Sequence, residues 1–370
     1  MGQSKYNFLL PPELLASEPA TPRDASRLFV YDTASDTIHF DHFFHIDQYL
    51  PHDASLVLNK TRVIPSRITL EKQTGGNIVC LFLLNEKRTT DTQIRAMVDR
   101  KISVGDELYA SGTSRASKPL MTCMSHEADS TFLFQLSISR KDLVALLERQ
   151  GSMPIPLYLR RTALSDRELR KRYQTVYAEQ TVAVNSNSIR INSLSSVAAP
   201  TAGLHFTRRV FRNMQHKNIT PVEVLLEVGL GTFAPLTDEA LAQGKLHTEW
   251  YQVPRSSREA IMRSKSQGRP IIAVGTTVVR TLESFAKLSE KARESYDDYH
   301  STDIFIREGY KFELIDHLIT NFHLPNSSLI MLVEAFLQHK KARKTVIDLY
   351  EIAIREKFRF YSFGDSMVIV

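Results

Sequence analysis

The sequence predicts an α/β fold: a largely parallel sheet flanked by helices, with a small six-stranded β-barrel inserted into it. Two observations carry this. From residue 197 onward, apolar strand-like runs alternate with helical patterns, the signature of strands crossing over through helices to form a parallel sheet. Between residues 66 and 150, six short β-type segments at 68–70, 78–84, 94–98, 107–109, 120–124 and 131–136 are separated by turn residues such as Gly75-Gly76 and Gly105-Asp106. Many short strands at turn spacing read as a barrel or sandwich. The domain boundaries expected are 1–65 together with 151–370 for the α/β domain, and 66–150 for the insertion.

The 370 residues are too many for one comfortable core, so more than one domain is the default. With 42% hydrophobic and 24% charged residues, the composition is that of an ordinary soluble protein. No apolar run reaches the roughly 18 residues of a membrane span. The start MGQSKYNFLLPPELL lacks a secretory pattern. Two cysteines, Cys80 and Cys123, make neither a disulfide framework nor a metal cluster. A cytoplasmic location and no membrane association are expected. The net charge of +6 and pI near 9.1 weakly favour a polyanionic partner.

In chain order, Pro11-Pro12 opens a short helix, and residues 18–32, EPATPRDASRLFVYD, read as a loop entering a strand. Arg23 and Asp24 sit beside that strand. Residues 55–58 form a buried strand ending on Asn59, Lys60, Thr61 and Arg62. Polar groups at such an end lie where open α/β sheets bind ligands. After the barrel, residues 140–150 read as a helix, 165–177 as a charged helix, and 181–195 as an Asn- and Ser-rich surface loop. VAAPTAGLHFT (197–207) combines small residues that allow close backbone approach with His205 and with Thr207, a candidate N-cap. Thr201 and Gly203 lie in it. Beyond it, strands are expected at 222–228, 270–274 and 367–370, short strands or turns at 304–306, 311–315 and 316–319, and helices at 259–267, 276–287, 328–340 and 346–357.

Polar groups recur at the expected strand ends and loop starts: His205, the loop after Val228, His247 to Glu249, Gly275 and Thr276 with Arg280, and Asn321 to His323. Such loops converge along one sheet edge. There is no HExxH or CxxC spacing, so no protein-bound metal is expected. There is no G-x-S-x-G elbow, and Gly229-x-Gly231 lacks the third glycine of a dinucleotide fingerprint. What remains suits general acid–base chemistry on a polar ligand such as a nucleoside.

These strings together resemble the S-adenosylmethionine:tRNA ribosyltransferase-isomerases of queuosine biosynthesis. The resemblance runs from end to end: EPATPRDASRLFVYD, NKTRVIPSR, PIPLYLRR, RYQTVYAE, VAAPTAGLHFT, VGLGTFAPL, LHTEWY, AVGTTVVRTLES, DHLITNFHLPNSSLIMLVEAF and FRFYSFGDSMVIV follow in the family's order. It implies an α/β domain with an inserted barrel. It also implies transfer and isomerisation of the ribosyl part of S-adenosylmethionine onto the 7-aminomethyl-7-deazaguanine of tRNA. Epoxyqueuosine-tRNA forms, and adenine and methionine are released. S-adenosylmethionine is then a consumed substrate and no cofactor is needed; the partner is tRNA, and a monomer is the family expectation.

On this resemblance, His205 or Glu249 is the candidate acid–base residue. Arg23, Asp24, Asn59, Arg62, Thr201, Gly203, Thr276, Arg280, Asn321 and His323 are candidates for holding the adenosyl group and the modified base. Arg160, Arg161, Arg170, Arg172 and Lys340 to Lys344 are candidates for tRNA phosphate contacts. The chain departs from the family pattern at Lys60, after Gly75-Gly76, at Met97 to Lys101 and in the length of the 181–195 loop. The departures keep a second reading open, a divergent paralogue with an altered substrate or a non-catalytic relative that binds tRNA or a nucleoside.

Overall fold

The computed structural model describes residues 5–84, 90–110, 118–128, 130–156, 158–159, 162–178, 196–229, 238–289 and 299–370. The strands before the barrel are β1 (Arg27–Asp32), β2 (Thr37–His42) and β3 (Ser55–Asn59). The barrel strands are β4 (Arg67–Lys72), β5 (Asn77–Phe82), β6 (Gln93–Val98), β7 (Glu107–Ala110), β8 (Met121–Ala128) and β9 (Thr131–Leu136). Helices α1 (Arg140–Gln150), α2 (Asp166–Arg172) and α3 (Arg208–Gln215) follow, then β10 (Thr220–Glu227), α4 (Asp238–Gln243), β11 (Lys245–Gln252) and α5 (Arg255–Ser266). The chain continues through β12 (Ile271–Val274), α6 (Thr276–Ala286), β13 (His300–Ile304), β14 (His317–Asn321), α7 (Ser328–His339), α8 (Val346–Arg355) and β15 (Ser366–Ile369).

Nine strands form one sheet in the order β13-β11-β10-β3-β12-β14-β15-β1-β2. Its centre, β10-β3-β12-β14, is parallel, as is the β15–β1 pair. The other pairings, β13–β11, β11–β10, β14–β15 and β1–β2, are antiparallel, which makes the sheet mixed. The period of two splits the central strands between two layers. In β3, Val57 joins the core under α5, α6, α7 and α8, whereas Leu56 and Leu58 join the core under α3 and the 3-10 turn Phe43–Tyr49. Burial on both faces explains why these strands read as continuous apolar runs.

Two strands escaped the sequence pattern. β2 is half exposed and polar (TIHFDH), as befits an edge strand. β11 holds His247 to Glu249 inside a strand, not at a strand end. Residues 311–315, expected as a short strand or turn, form no strand. The Glu283 carboxylate accepts the backbone N–H groups of Glu313 (3.0 Å) and Leu314 (3.1 Å), which therefore never enter a ladder.

The barrel closes in the order β4-β5-β6-β9-β8-β7. Alternate residues such as Ile68, Leu70, Ile78, Cys80, Phe82, Ile94, Ala96 and Phe134 fill it, and Leu143, Val144 and Leu147 of α1 pack against that core. Ser139 caps α1 by accepting the Asp142 N–H. Entry and exit chains are tied together where the barrel joins the sheet: Arg67 and Ser152 exchange backbone hydrogen bonds of 2.7 and 3.2 Å. Gly151 is required there, because a Cβ would lie 2.0 Å from the Pro65 carbonyl oxygen.

Candidate active site

The carboxyl ends of β10, β12 and β14 open into one cavity of about 640 Å³, the position and size at which α/β sheets hold small ligands. Each wall follows from local sequence. Gly275, at φ 88°, turns β12 into α6 and places Thr276, Thr277 and Arg280 on the cavity. β14 ends in Asn321 and runs on through Phe322 and His323. The small residues Ala198 to Ala202 form another wall, and Pro156, Tyr158, Tyr361 and Ser362 close the far side.

Glu249 and Arg280 meet in the wall as a buried ion pair through Oε2 and Nη1. Glu249 Oε1 also accepts the Gly229 N–H at 2.9 Å. On Arg280, Nε and Nη2 have no partner among the described residues. These two nitrogens form one edge of the guanidinium, the edge that grips a carboxylate or phosphate bidentately.

Asn321 is the second focus. Its Oδ1 accepts the Thr201 hydroxyl at 3.0 Å, and its Nδ2 donates to His205 Nε2 at 3.1 Å. An amide nitrogen can only donate, so Nε2 is the bare nitrogen and Nδ1–H donates to Ser26 Oγ at 2.8 Å. Burial pushes the His205 imidazole down to about 4, and Arg359 and Arg23 oppose its charge while Asp365 favours it. His323 is likewise driven to about 4 by burial, with Tyr350 OH 3.2 Å from Nδ1 and Thr320 Oγ1 3.4 Å from Nε2.

Of the residues singled out from sequence, the structure brings Glu249, Thr201, Thr276, Arg280, Asn321 and His323 together around the cavity. Six others stand elsewhere. His205 is 4% exposed and bonded through both ring nitrogens, one layer behind Asn321. Gly203 packs under Tyr177, whose hydroxyl would lie 1.9 Å from an added Cβ. Arg23 donates to the carbonyls of Lys171 (2.7 Å) and Gln174 (2.5 Å). Asp24 accepts from Thr207 (2.6 Å) and Arg209 (3.0 Å). Asn59 stitches β3 to β10 through Leu226 N–H (3.0 Å) and the Leu226 carbonyl (3.1 Å). Arg62 pairs with Glu148 of α1 at 3.2 Å. Arg23, Asp24, Asn59 and Arg62 are thus spent on backbone, hydroxyl or ion-pair partners away from the cavity. Lys60, the charged departure in the second signature, pairs with Glu223 of β10 at 3.8 Å and does not line the cavity either.

The phosphate-contact candidates also divide. Arg170 is taken up by Asp166 (2.7 Å) and the Glu148 carbonyl (2.9 Å). Lys344 is held by both oxygens of Asp36, and Lys340 donates to the Asp316 carbonyl. Arg160, Arg161 and the loop 181–195 lie outside the described residues, as does the 230–237 part of the glycine-containing loop. Sequence reasoning missed Tyr158, Tyr173 and Tyr361. Tyr158 and Tyr361 pack ring to ring at 4.3 Å, and the Tyr158 hydroxyl, pushed up to about 12 by burial, meets Ser362. Their positions, some two hundred residues apart in the chain, offer no local signal.

A mixed α/β sheet with a largely apolar, aromatic-walled cavity that carries a few polar groups at its carboxyl edge defines a ligand-binding α/β enzyme fold. A family model described as Queuosine biosynthesis protein matches residues 3–369. The chain belongs to this family of enzymes. A curated relative from Fusobacterium nucleatum named S-adenosylmethionine:tRNA ribosyltransferase-isomerase is 37% identical over 99% of this chain and 96% of its own length. One of the same name from Moorella thermoacetica is 38% identical over the full length of both. A crystal structure of S-adenosylmethionine tRNA ribosyltransferase from Thermotoga maritima superposes with a TM-score of 0.52 at 29% identity, covering 99% of this chain and 100% of that one. No helix among the described residues is long and apolar enough to cross a membrane.

Proposed function

We propose that this enzyme transfers the ribosyl part of S-adenosylmethionine to the 7-aminomethyl-7-deazaguanine of a tRNA anticodon and isomerises it, giving epoxyqueuosine-tRNA, adenine and methionine. S-adenosylmethionine is consumed as a substrate, and the protein acts as a cytoplasmic monomer. The observation that carries the reading is the buried Glu249–Arg280 pair in the wall of a cavity large enough for a nucleoside.

The reaction makes three demands. A proton must leave the ribose carbon beside the sulfonium, which acidifies it. Adenine must depart, and the wobble base must be held splayed out of its stack. Glu249 is the cavity carboxylate that accepts a proton; its Gly229 and Arg280 contacts fix its orientation. Arg280 lines the cavity, and its Nε and Nη2, buried and without a partner among the described residues, suit the α-carboxylate of the methionine portion. Asn321, after its bonds to Thr201 and His205, retains one N–H and one lone pair. That donor–acceptor pattern suits a purine edge. The Tyr158 and Tyr361 rings offer faces for base stacking. His205 is assigned a positioning role, holding Asn321 from behind.

The test is adenine release from S-adenosylmethionine with and without tRNA carrying the aminomethyl base. Release that requires that tRNA supports the proposal. Binding of the tRNA without adenine release would sink it and favour a non-catalytic relative.

A further inference from the structure

Away from the cavity, α3 is built against its own helix dipole. Its first two residues are Arg208 and Arg209, and no acidic residue stands in its first turn, although cations are disfavoured at a helix N-terminus. Arg208, Phe211, Arg212 and Gln215 fall at the i, i+3, i+4 and i+7 positions of one face and line a shallow recess. The opposite face, Val210 and Met214, is buried against the sheet. Arg208 and Arg212 are exposed and have no hydrogen-bond or ion-pair partner among the described residues.

The basic character continues to both sides. Arg209 lies over the Phe44 ring at 4.6 Å, and Phe44 stacks on His42 at 5.3 Å and 5°. On the other flank, Arg23 is anchored to the Lys171 carbonyl, and Arg172 is close enough to help lower its pKa, after the larger effect of burial. The nearby carboxylate Asp24 is buried, and its Oδ2 accepts from Thr207 and Arg209.

Topology sets the N-terminal end of α3 at the cavity's edge of the sheet. The turn Thr201–His205 leads from the cavity wall directly to Thr207, the N-cap of α3. α3 then returns to the start of β10, which is parallel to β3 and β12, so the N-terminus of α3 lies at the same sheet edge as the cavity.

We infer that the outer face of α3 is an RNA docking surface, with Arg208 and Arg212 on phosphates and Phe211 between them as a stacking platform. The inference rests on the proposed function for its occupant, the tRNA whose base enters the cavity. Guanidinium groups interleaved with aromatic rings favour RNA over an anionic membrane or an acidic protein.

The test uses the full chain and two probes, an unmodified tRNA transcript and its anticodon stem-loop, by fluorescence anisotropy between 50 and 200 mM salt. The charge reversal Arg208→Glu with Arg212→Glu weakens binding about tenfold or more and flattens the log–log salt slope by about two. Arg208→Glu alone leaves the melting temperature unchanged or raised, because a carboxylate suits that helix end. The neutral pair Arg208→Gln with Arg212→Gln gives the same direction if the reversal fails to fold. Wild-type affinity and slope in the folded variants overturn the inference. So does wild-type binding to phosphatidylglycerol vesicles that the substitutions abolish while RNA affinity stays intact. A wild type that releases no adenine, beside variants that lose RNA, sinks the proposed reaction and leaves the docking surface standing.

Discussion

Asn321 donates to Nε2 of His205 at 3.1 Å, and that contact places the imidazole behind the cavity wall, acting on the wall from outside. The histidine of the most distinctive string in the sequence thus holds an amide in orientation. Replacing it by Ala frees Asn321 to rotate and leaves Ser26 without its donor. Turnover should fall roughly 10- to 100-fold, the range expected for misplacing a substrate-positioning group. Because the ring is neutral well above pH 4, the pH–rate profile should drop in height and keep its shape. Loss of a limb near neutral pH in His205→Ala would mean the imidazole moves the proton itself.

Three desolvated histidines, one buried and two half-buried, also make the fold acid-sensitive. His205, His317 and His323 are each lowered to about 4, by burial first. Their unfolded values lie near 6.5, so below that pH the unfolded chain binds more protons than the native one. Their stabilising contribution is complete above pH 6.5 and is lost progressively towards pH 4. Urea midpoints at pH 7.5, 5.5 and 4.5 should fall in that order, and His323→Gln should flatten the trend. A flat series in the wild type would refute the buried, neutral assignment.

Arg280 and Glu249 are coupled through desolvation. Arg280→Met removes the counter-ion of a buried carboxylate and should cost about 3–5 kcal/mol by urea denaturation. Adding Glu249→Gln to that variant should recover part of the loss, since no buried charge then remains unpaired. Equal stability of the single and double variants would show that the pair is not energetically linked. Glu249→Gln alone should abolish adenine release while S-adenosylmethionine still binds.

Two glycines separate soft from hard packing. An Ala Cβ at Gly203 meets the end of the Tyr177 side chain, whereas at Gly151 it meets the Pro65 carbonyl at 2.0 Å and the Leu147 carbonyl at 2.6 Å. Gly203→Ala should cost about 1–3 kcal/mol and be partly rescued by Tyr177→Phe. Gly151→Ala should cost more and resist rescue, because backbone on both sides must move. The comparison is read from chemical denaturation midpoints.

Much of the fold was legible because periodicity and caps report local physics. The six barrel segments alternate between a filled interior and solvent, and α3 begins at the Thr207 cap. β11 was not legible, because one of its two buried residues is a carboxylate whose partner, Arg280, lies on another element. Asn59 illustrates the converse. A polar residue at a strand end can serve a ligand or the neighbouring strand, and only the Leu226 contacts decide between them. The aromatic wall of Tyr158 and Tyr361 depends on segments joined only by the tertiary fold.

Ribosyl transfer and methyl transfer differ in which part of S-adenosylmethionine reaches the RNA. S-adenosylmethionine carrying one label in the ribose and a second in the S-methyl group should be incubated with the enzyme and tRNA bearing the aminomethyl base. The ribose label is predicted to enter the tRNA, with the methyl label leaving on methionine. Methyl label in the tRNA with the ribose label left in solution would contradict it.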